Sequence, residues 1–194
     1  RVPIAASIIA ATWATGAAAA PPMAQVAAGD SVSGLIQGAV EQVRHGARLT
    51  ADDEPISSTI LLPAFYERRR FQPAWNPSAL DSLIDAVRGS VLDGLDPTDY
   101  HLHALLRARA ALARPATARA TVDLVATDAL IRLGYHARFG KVDQQRIFGS
   151  WNFTGPLTDI DPVQMMEQAI GSARITEAVE GLFPRHPFYR VLKA

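Results

Sequence analysis

The sequence predicts an all-α fold, an irregular helical bundle around a central buried helix, preceded by a signal peptide. Three observations lead there. From Ser31 onward, apolar residues recur at helical spacing, without strand-like alternation or internal repeats. One segment, Thr121 to Phe139, is apolar over most of its circumference, as a helix packed on several sides must be. The N-terminal residues have the order of an export signal.

The export signal comes first in the chain. Arg1 precedes the uncharged run Val2 to Ala20, and small residues follow. Basic start, short apolar stretch and small-residue zone define a secretory leader, assigned here to residues 1–28. Ala18 and Ala20 offer one cleavage pattern, and Val26-Ala27-Ala28 before Gly29 offers another. An uncleaved leader would instead anchor the chain in a membrane.

Residues 29–56 are expected to form an N-terminal helix and a loop, the loop covering Gly46 to Pro55. Residues 57–194 form the main helical domain, ending in a helix that is cut short after Pro187. Within it, Leu80, Leu83, Ile84, Val87 and Val91 make one apolar helix face. Leu102, Leu105, Leu106 and Leu112 make a second, and Ile175, Ala178, Val179, Leu182 and Phe183 a third. In the central segment, Val122, Val125, Ala129 and Leu133 form one stripe, and Leu124, Ile131, Tyr135 and Phe139 another. Asn76-Pro77, Asp96-Pro97 and Asp161-Pro162 each place a capping side chain before a proline suited to the first helical position. Gly94 and Gly140 are placed to end helices in a left-handed conformation. Gln144 to Ile160 reads as irregular.

Composition narrows the function. Nineteen basic residues balance nineteen acidic ones in 194 residues. That balance argues against nucleic acid as a partner and against a polybasic membrane-surface domain. The absence of cysteine removes disulfides, thiolate metal sites and a cysteine nucleophile from these residues.

Little in the sequence points to catalysis. His101 and His103 are two apart; on a helix they diverge by about 200° and cannot share an ion, so both read as solvated or half-buried near a helix start. Asp93, Asp96 and Asp99 lack the spacing of a calcium loop. No metal and no cofactor is expected. A single-carboxylate glycan-cleaving enzyme would draw on Glu54, Glu67, Glu167, Glu177 or Glu180. Glu67 stands out beside Phe65, Tyr66 and Phe71, although it also fits a solvent face next to Arg68-Arg69-Arg70. No G-x-S-x-G elbow and no Gly-rich phosphate loop occurs. Aromatics gather in three groups: Phe65, Tyr66, Phe71 and Trp75; Trp151 and Phe153; and Phe183, Phe188 and Tyr189. They fit core-filling roles, with a carbohydrate- or peptide-stacking platform as the alternative.

Five segments, in order, give the chain a resemblance. They are LPAFYERRRFQPAW (Leu62 to Trp75), VLDGLDPTDYHL (Val91 to Leu102), TDALIRLGYHARFGKVD (Thr127 to Asp143), WNF (Trp151 to Phe153) and LFPRHPFYRVLKA (Leu182 to Ala194). Together they resemble the N-terminal scaffold domain of the large bacterial murein L,D-transpeptidases. The resemblance implies a periplasmic, cell-wall protein whose parent forms 3→3 cross-links between peptidoglycan stems by acyl transfer through a cysteine thiolate. That cysteine belongs to a separate C-terminal catalytic domain with an S-H-G-C motif, absent from this chain, so no catalytic residue carries over.

The leading expectation is therefore a non-catalytic scaffold, inactive alone, whose partners are the catalytic and peptidoglycan-binding modules of the same parent chain, and peptidoglycan as a further contact. A stand-alone module binding peptidoglycan or an envelope partner is the alternative, and a glycan-cleaving enzyme the second. Tyr66, Arg69, Trp75 and Tyr100 are the expected interdomain or murein contacts.

Overall fold

The structure, a computed structural model, describes residues 31–111, 115–141 and 161–184, together with 186, 189 and 191. Among these residues it is all-α, with one very small β-ladder. The leader, the irregular stretch 144–160 with Trp151 and Phe153, Leu112, and most of the final segment lie outside the described residues.

Helix α1 (Val32–Arg44) starts where Ser31 accepts the Gly34 N–H at 3.0 Å. Ile36, Ala39, Val40 and Val43 then fall on one face, and all are buried. The expected loop beyond it contains two short strands, β1 (Thr50–Ala51) and β2 (Glu54–Pro55). Thr50 pairs with Pro55 and Ala51 with Glu54, antiparallel. Asp52 and Asp53 connect them, both at positive φ (53° and 63°). A two-residue connection with two left-handed positions matches the twist of a hairpin, and aspartate tolerates that conformation better than most residues. The strands are too short for any alternation to show in the sequence.

Helix α2 (Leu61–Arg68) is followed by Arg70 and Phe71, both left-handed. Helix α3 (Pro77–Gly89) is capped by Asn76, which accepts the Ala79 N–H at 2.9 Å. Its stripe is buried through Val87, but the expected fifth member is not. The backbone tightens into a 3₁₀ turn at Ser90–Asp93, the register slips, and Val91 is 60% exposed. Gly94 ends that turn left-handed.

Asp96-Pro97 also opens a 3₁₀ turn (Pro97–Tyr100), not the expected α-helix. His101 closes that turn left-handed at φ 58°, and α4 (Leu102–Ala111) begins only after it. Helix α4 turns Ala104, Leu105 and Ala108 inward and leaves Leu106 exposed, correcting the leucine stripe. Small alanines let α4 lie close to its neighbours, so the inward face is not the one richest in leucine.

Helix α5 (Ala116–Phe139) is the central helix, as a segment apolar over most of its circumference predicts. It touches α1, α2, α3, α4 and the last helix. Of the second stripe, Leu124 is buried, whereas Tyr135 near the C-terminal end is mostly exposed. Gly140 follows at φ 82° but ψ 163°, an extended conformation open to glycine rather than the left-handed cap expected.

Helix α6 (Pro162–Gly171) is capped by Asp161, which accepts the N–H groups of Val163 and Gln164 at 3.0 and 3.1 Å. Helix α7 (Ile175–Glu180) has no local side-chain cap. Its Ile175 N–H donates at 3.0 Å to the hydroxyl of Ser82, on α3. Leu182 packs beyond its end at 3.4 Å from where a Cβ on Gly134 would stand, so α5 carries a glycine at its approach. One hydrophobic core contains buried residues of α1 through α7. No helix of the described residues is long and apolar enough to cross a membrane.

Candidate functional site

The most distinctive feature of the structure is inside α5. Asp123, Thr127 and Asp128 are all buried, with exposures of 2%, 0% and 0%. Isolated charges this deep would cost several kcal/mol each, so their partners define the site.

Asp123 and Thr127 are one helical turn apart and face α2. The Ala74 N–H donates to Asp123 Oδ1 at 2.6 Å, and the Tyr66 hydroxyl donates to the same oxygen at 3.2 Å. Tyr66 Oη lies 2.8 Å from Thr127 Oγ1, which accepts the Trp75 indole N–H at 2.9 Å. One assignment satisfies every group: Trp75 donates to Thr127, Thr127 to Tyr66, and Tyr66 to Asp123. Burial pushes the Asp123 carboxyl up to about 6, against the pull of the Ala74, Tyr66 and Trp75 hydrogen bonds. Burial, then the Asp123 charge, push the Tyr66 phenol well above its ordinary value.

Asp128 faces the other way. Its Oδ1 accepts the N–H groups of Ser57 and Ser58 at 2.9 and 2.7 Å. Its Oδ2 lies 2.7 Å from His101 Nε2 and 3.8 Å from Arg132, one turn along α5. The other ring nitrogen of His101 lies 2.9 Å from Glu54 Oε2, in β2. His101 thus bridges the two carboxylates, one at each ring nitrogen, with Arg132 Nη1 3.4 Å from the same Nε2. Burial alone would raise the Asp128 carboxyl, but hydrogen bonds from His101 and Ser58 hold it below the ordinary aspartate value. His101 is thus not solvated or half-buried as expected; it is 2% exposed and ties the hairpin, the α4 start and α5 together. His103 is exposed.

The four expected contact residues fall around this interior. Tyr66, Trp75 and Tyr100 are buried, the first two in the Asp123 network and Tyr100 with its hydroxyl 2.9 Å from His136 Nδ1. Their polar atoms have internal partners. Arg69 is part-exposed; it donates to the Pro73 carbonyl at 3.1 Å and lies 5.5 Å from the Phe65 ring centroid. Arg68 pairs with Asp161 at 2.7 Å, tying α2 to the start of α6. Glu67 is on the surface, paired with Arg44 at 2.9 Å. Asp93 accepts the Tyr189 hydroxyl at 2.6 Å, and Asp99 pairs with Lys141. Among the described residues, no group of three His, Cys, Asp or Glu side chains could hold a metal ion, and no buried side-chain polar atom lacks a partner.

Sequence reasoning missed Asp123, Thr127, Asp128 and the serine pair Ser57-Ser58. A signal existed: Asp123, Thr127 and Asp128 fall inside the most apolar stretch of a helix that is apolar over most of its circumference, where little solvent face is left to them.

Above the Asp128 cluster a groove of about 510 Å³ opens between the second half of α5 and helices α6 and α7. Leu130, Ile131, Met165, Met166, Val179 and Leu182 line its apolar part. Arg132, His136 and Arg138 are the basic residues that line it, and none of its described lining residues is acidic.

Residues 61–194 match the Scaffold domain family. No curated protein and no solved structure matches the chain. The family match begins at the first residue of α2 and takes in the central helix with both buried aspartates. Covering more than half of the sequence, it shows that this chain belongs to the Scaffold domain family.

Proposed function

We propose that the chain is the non-catalytic scaffold of a peptidoglycan L,D-transpeptidase. The parent enzyme is exported to the periplasm and forms 3→3 cross-links, and this domain holds its catalytic and peptidoglycan-binding modules in place. The observation that carries the reading is the Scaffold family match across residues 61–194. The five segments resembling that transpeptidase scaffold supply the parent's identity. The chemistry agrees. A thioester mechanism needs a thiolate, and the 194 residues contain no cysteine. The buried carboxylates are spent on internal hydrogen bonds, and Glu67 is exposed and ion-paired, without the apolar enclosure a general acid needs. Of the aromatic and arginine cluster behind a direct murein-binding reading, Phe65, Tyr66 and Trp75 are buried, which leaves that reading Arg68, Arg69, Arg70 and Phe71.

The test is the reading frame beyond the Ala194 codon. It should continue into a domain with an S-H-G-C motif. The whole protein should then convert tetrapeptide muropeptides into 3→3 dimers, and these residues alone should not. A frame lacking such a domain, or dimers formed by residues 1–194 alone, would sink the proposal.

A further inference from the structure

The groove between α5, residues 57–61 and helices α6 and α7 opens at the edge of the core, where Leu130, Met166, Val179 and Leu182 present part of their surface to it. Its volume, about 510 Å³, lies in the range of small-molecule sites. Its walls are almost wholly apolar, and the two methionines, Met165 and Met166, can reshape to a flexible apolar chain. Ile60 and Tyr135, on its rim, are 86% and 58% exposed. Apolar side chains left together in water around a concavity mark a binding surface.

Charge selects the occupant. Arg132 and Arg138 line the groove, and no carboxylate faces them from its described walls. Arg132 is drawn to the buried node, 3.8 Å from Asp128 and 3.4 Å from His101 Nε2, which makes the exposed Arg138 the cation the groove offers. A guanidinium beside an apolar trough suits a ligand with an anionic head and a hydrocarbon body. A positive or zwitterionic head would gain less there.

We propose that this groove binds a monomeric amphiphile with one linear apolar chain and one compact anionic head. The chain lies against Leu130, Met165, Val179 and Leu182, and the head meets Arg138. The proposal is independent of the parent enzyme's activity.

Calorimetric titration of the whole chain with sodium laurate, below its micelle concentration, tests this. One-to-one saturation is expected. Each methylene removed in the shorter carboxylates should weaken binding about fourfold. Dodecyltrimethylammonium, with the same chain and a positive head, should bind at least tenfold more weakly. Arg138→Gln, at an exposed position, should weaken laurate several-fold and leave the chain-length dependence intact. Ala178→Trp, which fills the groove, should abolish binding while circular dichroism stays native.

Equal affinity for the two heads, no effect of chain length, or undiminished binding by a folded Ala178→Trp protein would each overturn the proposal. If Ala178→Trp does not fold, unchanged laurate affinity in Arg138→Gln overturns it. Binding only to phosphatidylglycerol vesicles would mean a membrane surface instead. No laurate binding would overturn it as well, and sedimentation would then show whether a second copy occupies the groove.

Discussion

Asp123 and Asp128 stand five residues apart on the same helix, equally buried, and their acidities move in opposite directions. Asp123 is held mainly by uncharged donors, two backbone N–H groups and a phenol, and burial wins. Asp128 has two backbone N–H groups and a histidine lying between it and Glu54, and the hydrogen bonds win. Depth alone does not set the charge of a buried carboxylate; the donor set does. The two nodes also bind different parts of the fold. Asp123 fastens α2 and the segment leading into α3, while Asp128 fastens the hairpin and the start of α4.

The contrast can be broken most strongly at Asp128. Asp128→Ala strands His101 and two backbone N–H groups, and should cost about 3–5 kcal/mol in urea unfolding. An Asp128→Ala protein within 1 kcal/mol of the native stability, by contrast, would show that the node is solvated in solution.

The pH dependence sharpens the comparison next. The folded Asp123 carboxyl sits at about 6, above its ordinary value of 3.8. Its contribution is therefore complete below the unfolded value and is lost as pH rises through about 6. Asp128, held low, contributes above its unfolded value and loses that contribution as pH falls through its lower folded value. Relative to Asp123→Asn, the native protein should be more stable at pH 4 than at pH 7 by about 2 kcal/mol. Chemical denaturation of both proteins at the two pH values measures this, and a flat difference would show that Asp123 is ionised throughout.

A smaller effect is expected at Tyr66. Tyr66→Phe removes one donor to Asp123 and one partner of Thr127, and should cost about 1–2 kcal/mol, read from thermal unfolding. The smallest is at the surface. Glu67→Gln breaks only the exposed pair with Arg44 and should shift stability by less than about 0.5 kcal/mol. A larger loss would mean that Glu67 does more than the pair shows.

Much of the helical frame was legible because its signals are local. Asn76 and Asp161 cap from within three residues, and proline follows each. The α3 stripe and the broad apolar surface of α5 follow from periodicity. Other signals misled where two local rules compete. Asp96-Pro97 opens a 3₁₀ turn as readily as an α-helix, and Leu106 is apolar yet faces water. The expected contact residues Tyr66, Trp75 and Tyr100 carry the same aromatic chemistry whether they face a ligand or a buried aspartate.

By itself, then, the sequence determined the helical class, the central helix and the Asn76 and Asp161 caps, because each depends on local patterning or on residues a turn or less apart. It also determined that no thiol chemistry occurs in these residues. Only the tertiary structure decided that His101 would be buried between Glu54 and Asp128, 47 and 27 positions away. The same holds for the cap that Ser82 gives α7 across 93 positions, and for the groove walled by α5, α6 and α7. Such partners are chosen by packing. The cost of burying an unpaired polar group enforces the pairing, and no spacing rule encodes which distant residue will meet it.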